Sequence, residues 1–195
     1  MRSGTKLRPQ HIEEQAKEVD NGGVLAIMYR KASAYGNRAA LSRMKDGRWQ
    51  DVTFQEVQRR AKQLSDYLID WGIESGDRIA ILSESSPDWG IVLFAIIRAG
   101  GVAVPLDTKL TVPELSAIMQ DCSPRVLFVS GKLAETAVAL ERRVPGLSAV
   151  IVMDDEAWAE LPRVSQLHAS REQIAGRDRQ ADETALIVYT SGTTG

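Results

Sequence analysis

Thr190, Ser191, Gly192, Thr193, Thr194 and Gly195 form the segment of this 195-residue chain that packing explains least. Four hydroxyl residues and two glycines follow an apolar run, with no bulky or charged residue among them. A polyphosphate needs many donors at close range, and larger side chains would hold the backbone away. Glycines allow that approach, while hydroxyls and successive backbone N–H groups supply the donors. The segment is not a G-x-x-x-x-G-K-[ST] loop, because it contains no lysine. From the hexapeptide alone two readings stay open, a phosphate cradle and a flexible Thr/Ser/Gly tail.

The other residues able to do chemistry read as structural. Asp107 follows Pro105-Leu106 and reads as a turn residue at a strand end rather than a catalytic carboxylate. His168 lies in a charged segment and His11 in the N-terminal tail, and both read as solvated. Cys122, on an apolar helix face before Ser-Pro, reads as a small buried side chain. Trp71 and Trp89 read as core or near-core packing, with a channel wall open for Trp89. Arg142-Arg143 reads as a helix-end pair facing the negative pole of the helix dipole. One cysteine and two histidines exclude an internal disulfide and a Cys/His zinc cluster.

The elements that must position the hexapeptide alternate in type. Val24, Leu25, Met28, Ala32 and Tyr35 share a helical face that Gly36-Asn37 ends. Strands are predicted over 39–44 and 48–52, joined by Asp46-Gly47, a two-residue turn that wants positive φ at both positions. Thr53 and Glu56 fit a capping box opening a helix with Phe54, Val57, Ala61, Leu64 and Leu68 on one face, closing at Gly72. Strands follow over 78–82, 102–105, 125–130, 149–153 and 185–189. Helices are predicted between them: one from Ser86-Pro87 to Gly100-Gly101, one from the Thr111–Glu114 capping box to Cys122, and one over 132–143. Residues 154–182 read as a surface excursion. This alternation predicts an α/β fold with a mostly parallel sheet flanked by helices. Such sheets place ligands at the carboxyl ends of strands, and 190–195 follows a strand directly.

Four stretches carry a family resemblance. Residues 185–195, ALIVYTSGTTG, are similar to the phosphate-loop signature of the adenylate-forming, or AMP-binding, enzymes. Residues 98–107, RAGGVAVPLD, and 51–57, DVTFQEV, resemble two earlier motifs of that superfamily. Residues 76–89, GDRIAILSESSPDW, resemble the form found in long- and medium-chain fatty acyl-CoA synthetases. The resemblance implies an N-terminal extension over 1–23 and, over 24–195, the N-terminal portion of an adenylation domain ending inside the phosphate loop. It implies ATP, Mg²⁺ and coenzyme A as cofactors or co-substrates. Thr190, Ser191, Gly192, Thr193, Thr194 and Gly195 would grip the β- and γ-phosphates. The Mg²⁺ ligands, the acyl pocket and the catalytic lysine of the lid would come from later segments, so no catalytic residue is expected here.

The expected activity is ATP-dependent conversion of a carboxylic acid, of fatty type, to acyl-AMP and then acyl-CoA. The alternatives are an acyl-AMP ligase serving a carrier protein and a truncated nucleotide-binding fragment without catalysis. A net charge of −2 gives no general reason to bind nucleic acid. The longest apolar stretch, 90–97, stops at Arg98, far short of a membrane span. The N-terminus lacks the apolar core of a secretory signal, so a cytoplasmic location is expected. Ile12, Ala16 and Val19 sit at helical spacing, leaving a peripheral membrane contact open beside a solvated helix. The charge is uneven: Met1 to Arg60 carries 12 basic and 7 acidic residues, the remainder 12 and 19.

Overall fold

A computed structural model describes residues 23–154, 161–170, 174, 176–177 and 182–190. Helix α1, Val24–Tyr35, buries Met28 and Ala32 and stops at Gly36, whose φ of 43° no longer continues a helix. Strands β1, Ala39–Lys45, and β2, Arg48–Thr53, form an antiparallel hairpin. Asp46 and Gly47 turn it with φ of 50° and 72°, the left-handed pair expected of Asp-Gly. Helix α2, Phe54–Asp70, starts on Thr53, whose Oγ1 accepts from the Glu56 amide at 3.1 Å. Only half of the expected box forms. The Glu56 carboxylate turns to Arg59 instead, at 2.6 and 2.9 Å, because a cation one turn on offers a stronger partner than a neutral amide.

A four-stranded parallel sheet follows, built from β3 (Arg78–Leu82), β4 (Val102–Leu106), β5 (Val126–Val129) and β6 (Ala149–Val152), in spatial order β4-β3-β5-β6. Helix α3, Pro87–Arg98, joins β3 to β4, and α4, Val112–Cys122, joins β4 to β5. A 3₁₀ turn, Gly131–Leu133, leads into α5, Ala134–Glu141, so the helix predicted over 132–143 is shorter and opens more tightly than expected.

The two crossovers run in opposite directions across the sheet, so right-handed connections set α3 and α4 on opposite faces. The strands are apolar at nearly every position because both faces are covered. Ile79, Ile81, Ala103, Val126, Phe128 and Ile151 pack toward α1, α2 and α3. The alternate residues Ala80, Leu82, Val104, Leu127, Val129 and Val150 pack toward α4 and α5. Trp89 packs partly buried against the first of these cores, whereas Trp71 is 38% exposed beneath the Arg125 guanidinium, not in the core.

The strand predicted over 185–189 is reduced to one parallel bridge, Ala103 with Leu186. The Ala103 amide donates to the Ala185 carbonyl at 3.0 Å and the Ile187 amide to the Ala103 carbonyl at 2.9 Å. Among the described residues of the excursion the regular structure is a 3₁₀ turn, Val164–Gln166, and a second bridge between Val152 and Arg163.

Candidate functional site

Of the six residues expected to grip phosphate, Thr190 is described, and it is exposed. Ser191, Gly192, Thr193, Thr194 and Gly195 lie outside the described residues, as do the stretch with Ile12, Ala16 and Val19 and nearly all of the predicted extension. The approach to the loop keeps a strand-like alternation: Leu186 and Val188 point outward, while Ile187 and Tyr189 pack against the core beneath α4.

Tyr189 donates its hydroxyl to the Asp121 carboxylate in the last turn of α4. That bond pushes the phenol pKa up, since an ionised phenol would lose it and face a second anion; burial and the neighbouring Cys122 act in the same direction. Cys122 is buried, and desolvation raises its thiol above the ordinary 9.0, which fits the structural reading of this residue. Arg78, the first residue of β3, donates to the Cys122 carbonyl, so this corner stands at the amino end of the sheet.

Polar residues also line the carboxyl edge. A cleft of about 400 Å³ is bounded there by Ser83, Glu84, Ser130, Lys132 and Asp154, with Arg43 on the hairpin side. The strand order changes direction between β3 and β5, where parallel sheets commonly bind ligands. Here that crevice is bridged by Ser130, whose hydroxyl donates to Glu84 at 2.9 Å. The Glu84 amide, then Ser130 and Lys132, hold the Glu84 carboxyl below the ordinary 4.5, so it stays ionised at neutral pH and is no proton donor. Asp154 accepts from the Gly131 amide at 3.1 Å. Asp107 accepts from the Lys109 amide at 2.9 Å, the turn role expected of it, and His168 is exposed.

Two features escape the sequence reading. The first is the Tyr189–Asp121 bond. The second is Arg98, inside the 98–107 motif, which is buried and donates to Tyr29 Oη at 3.0 Å, Ser65 Oγ at 3.0 Å and Asp66 Oδ1 at 2.6 Å. Its guanidinium also reaches the Ile174 carbonyl at 3.3 Å, fastening the excursion to α2 and α3. A cation among apolar neighbours was the available signal for Arg98. Its partners, tens of residues away, have no local trace.

A doubly covered parallel sheet, with residues 185–187 bonded to its β4 edge, is an architecture this chain shares with adenylate-forming enzyme domains. The chain belongs to the AMP-binding enzyme family, which matches residues 28–195. It is 30% identical over 181 residues to the long-chain-fatty-acid–CoA ligase FadD15 of Mycobacterium bovis, covering 90% of this chain and 30% of that one. It is also 30% identical over 191 residues to the hybrid PKS-NRPS synthetase poxE of Penicillium oxalicum, covering 93% of this chain and 4% of that one. In fold it resembles the adenylation domain of a carboxylate reductase from Mycobacterium chelonae, with a TM-score of 0.77 at 24% identity over 92% of this chain and 34% of that one. Acetoacetyl-CoA synthetase from Streptomyces lividans gives a TM-score of 0.75 at 24% identity, covering 88% and 28%. The chain thus spans about 30% of the length of the fatty-acid ligase it matches.

Among the described residues no group of three or more His, Cys, Asp or Glu side chains could hold a metal ion. No helix among them is long and apolar enough to cross a membrane.

Proposed function

We propose that the protein activates a carboxylic acid of fatty type with ATP, forming an acyl-adenylate and then a coenzyme A thioester. The observation that carries this reading is the match to a fatty-acid–CoA ligase across 90% of the chain, beside a family match that runs to residue 195. A carboxylate is a poor acyl donor because its leaving group would be oxide. Its oxygen attacks the α-phosphorus of ATP, forming a P–O bond. The bond to the β-phosphate bridging oxygen breaks, and pyrophosphate departs with the electron pair. The sulfur of coenzyme A then adds to the acyl carbon, AMP leaves, and the thiol proton passes to solvent.

The nucleophile of the first step is ionised at neutral pH, so no general base is required. The work left to this chain is positioning and charge stabilisation. Thr190, Ser191, Gly192, Thr193, Thr194 and Gly195 supply it as donors to the β- and γ-phosphates and to the departing pyrophosphate. None of the steps is assigned to a metal ligand of this segment.

A second reading, transfer of the acyl group to a carrier protein, is favoured by the equal identity to a hybrid PKS-NRPS synthetase. The two part at the acceptor. The complete gene product is expected to catalyse fatty-acid-dependent ATP–pyrophosphate exchange and to release AMP when coenzyme A is added. Exchange without coenzyme-A-dependent AMP release favours the carrier protein, and no exchange with any acid overturns both. Gly192→Ala sets a methyl group where a phosphate oxygen would sit, and Thr193→Val removes a donor at constant volume. Each is expected to lower exchange by roughly 10²–10³-fold with little change in melting temperature. A packing role for the loop gives the reverse, a lower melting temperature with normal specific activity.

A further inference from the structure

In a parallel ladder alternate residues of a strand bond to opposite neighbours. Val102 donates to the Asp77 carbonyl on the β3 side, so Ala103 and Pro105 face the other way, toward residues 185–189. Ala103 makes its bonds there to Ala185 and Ile187. The next donor on that edge would be the amide of residue 105, and proline has none. The bridge at Leu186 is accordingly isolated, and the backbone ladder does not carry the chain on toward Thr190.

The side chain of Tyr189 takes over where the ladder stops. Its ring packs against the core beneath α4 and its hydroxyl donates to Asp121. Asp121 sits in the last turn of α4, where the helix dipole disfavours a carboxylate, and the tyrosine hydroxyl gives that carboxylate a donor. The bond is made one residue before Thr190.

We infer that Tyr189 is a positioning residue for the phosphate-binding loop, acting through Asp121 in place of the backbone rung that Pro105 cannot supply. The inference rests on the phosphate-gripping role proposed above. It assigns Tyr189 no contact with substrate. The raised pKa of the phenol keeps it a donor throughout the neutral range, so its effect is independent of pH there.

The test uses the complete gene product with Tyr189→Phe, Asp121→Ala, Asp121→Asn and the Tyr189→Phe/Asp121→Ala double variant. Two readouts are taken: the KM for ATP and for the acid in pyrophosphate exchange, and amide hydrogen exchange of the peptide over 187–195 without substrates. Tyr189→Phe and Asp121→Ala are each expected to raise the ATP KM by roughly tenfold, the scale of one hydrogen bond to a charged group. The acid KM stays put, the 187–195 amides exchange faster, and the double variant is no worse than either single one. Asp121→Asn, which keeps an acceptor oxygen, restores most of the ATP KM. Wild-type ATP KM and unchanged amide exchange in Tyr189→Phe overturn the inference, as does an equal rise in both KM values with a lowered melting temperature. If the wild-type protein shows no exchange with any acid, the functional reading fails, and the hydrogen-exchange arm alone decides: faster exchange in Tyr189→Phe supports the tie, unchanged exchange overturns it.

Discussion

Cys122 shows how burial decides the chemistry of a single side chain. Its thiol is enclosed by the core beneath α4, and desolvation raises its pKa above 9.0. Below that pH the thiol is neutral in both folded and unfolded chains and adds nothing to the pH dependence of stability. Above it the unfolded chain ionises first and stability falls. At neutral pH the folded protein is expected to react with iodoacetamide at least roughly tenfold more slowly than the same chain in urea, since the thiolate is the nucleophile. Mass-spectrometric counting of alkylated protein over time checks this, and equal rates in the two states would show the thiol to be accessible. Its structural role was legible from one apolar helix face and the Ser-Pro that follows. The tie from Asp121 to Tyr189, 68 residues on, was not, because nothing in local spacing pairs them.

Among the elements, the junction between α3 and β4 leaves little room for added atoms. A Cβ on Gly101 would stand 3.1 Å from Ile96 Cγ2, 3.2 Å from the Asp77 carbonyl oxygen and 3.2 Å from Ile79 Cδ1. The carbonyl belongs to backbone that is already bonded to Val102, so it cannot simply move aside. Gly101→Ala is expected to cost about 1–3 kcal/mol, the usual range for overpacking, read as a lower midpoint in urea unfolding. A midpoint equal to wild type would mean that the junction relaxes freely. Element identity was legible where the signal is local: the Asp46-Gly47 hairpin, the Ser86-Pro87 start, and Thr111, whose amide and hydroxyl both donate to the Glu114 carboxylate at 2.8 and 2.6 Å. Two details were not legible, one capping bond and one strand. Arg59 draws Glu56 out of its box, and Pro105 withholds the donor that would have extended pairing over 185–189.

At the scale of the molecule, Arg98 joins parts that the sheet does not. One guanidinium bonds to α1 through Tyr29, to α2 through Ser65 and Asp66, and to the excursion at Ile174. A buried charge removed from one side strands its partner, at about 3–5 kcal/mol. Asp66 keeps a second cation, Lys62 at 2.5 Å, so Arg98→Met is expected at the lower end of that range. Pairing it with Asp66→Leu should recover much of the loss, because two apolar residues leave no charge behind. Equilibrium unfolding of the single and double variants checks this, and an additive double variant would show that the two side chains are not coupled. The fold class itself was readable in the alternation of apolar runs and caps, because each apolar strand must be covered on both faces.

The bridge between Ala103 and Leu186 also sets a timetable for the nascent chain. Its two halves lie 83 residues apart, so at about 5–20 residues per second the outer edge of β4 waits roughly 4–17 s for its neighbour to be synthesised. A strand edge left bare is a template on which a second, half-made chain can add. Pro105 falls on that edge and presents a ring where such a template would need a donor. The residue that cuts the final pairing short therefore also guards the unfinished protein against joining its neighbours on the polysome.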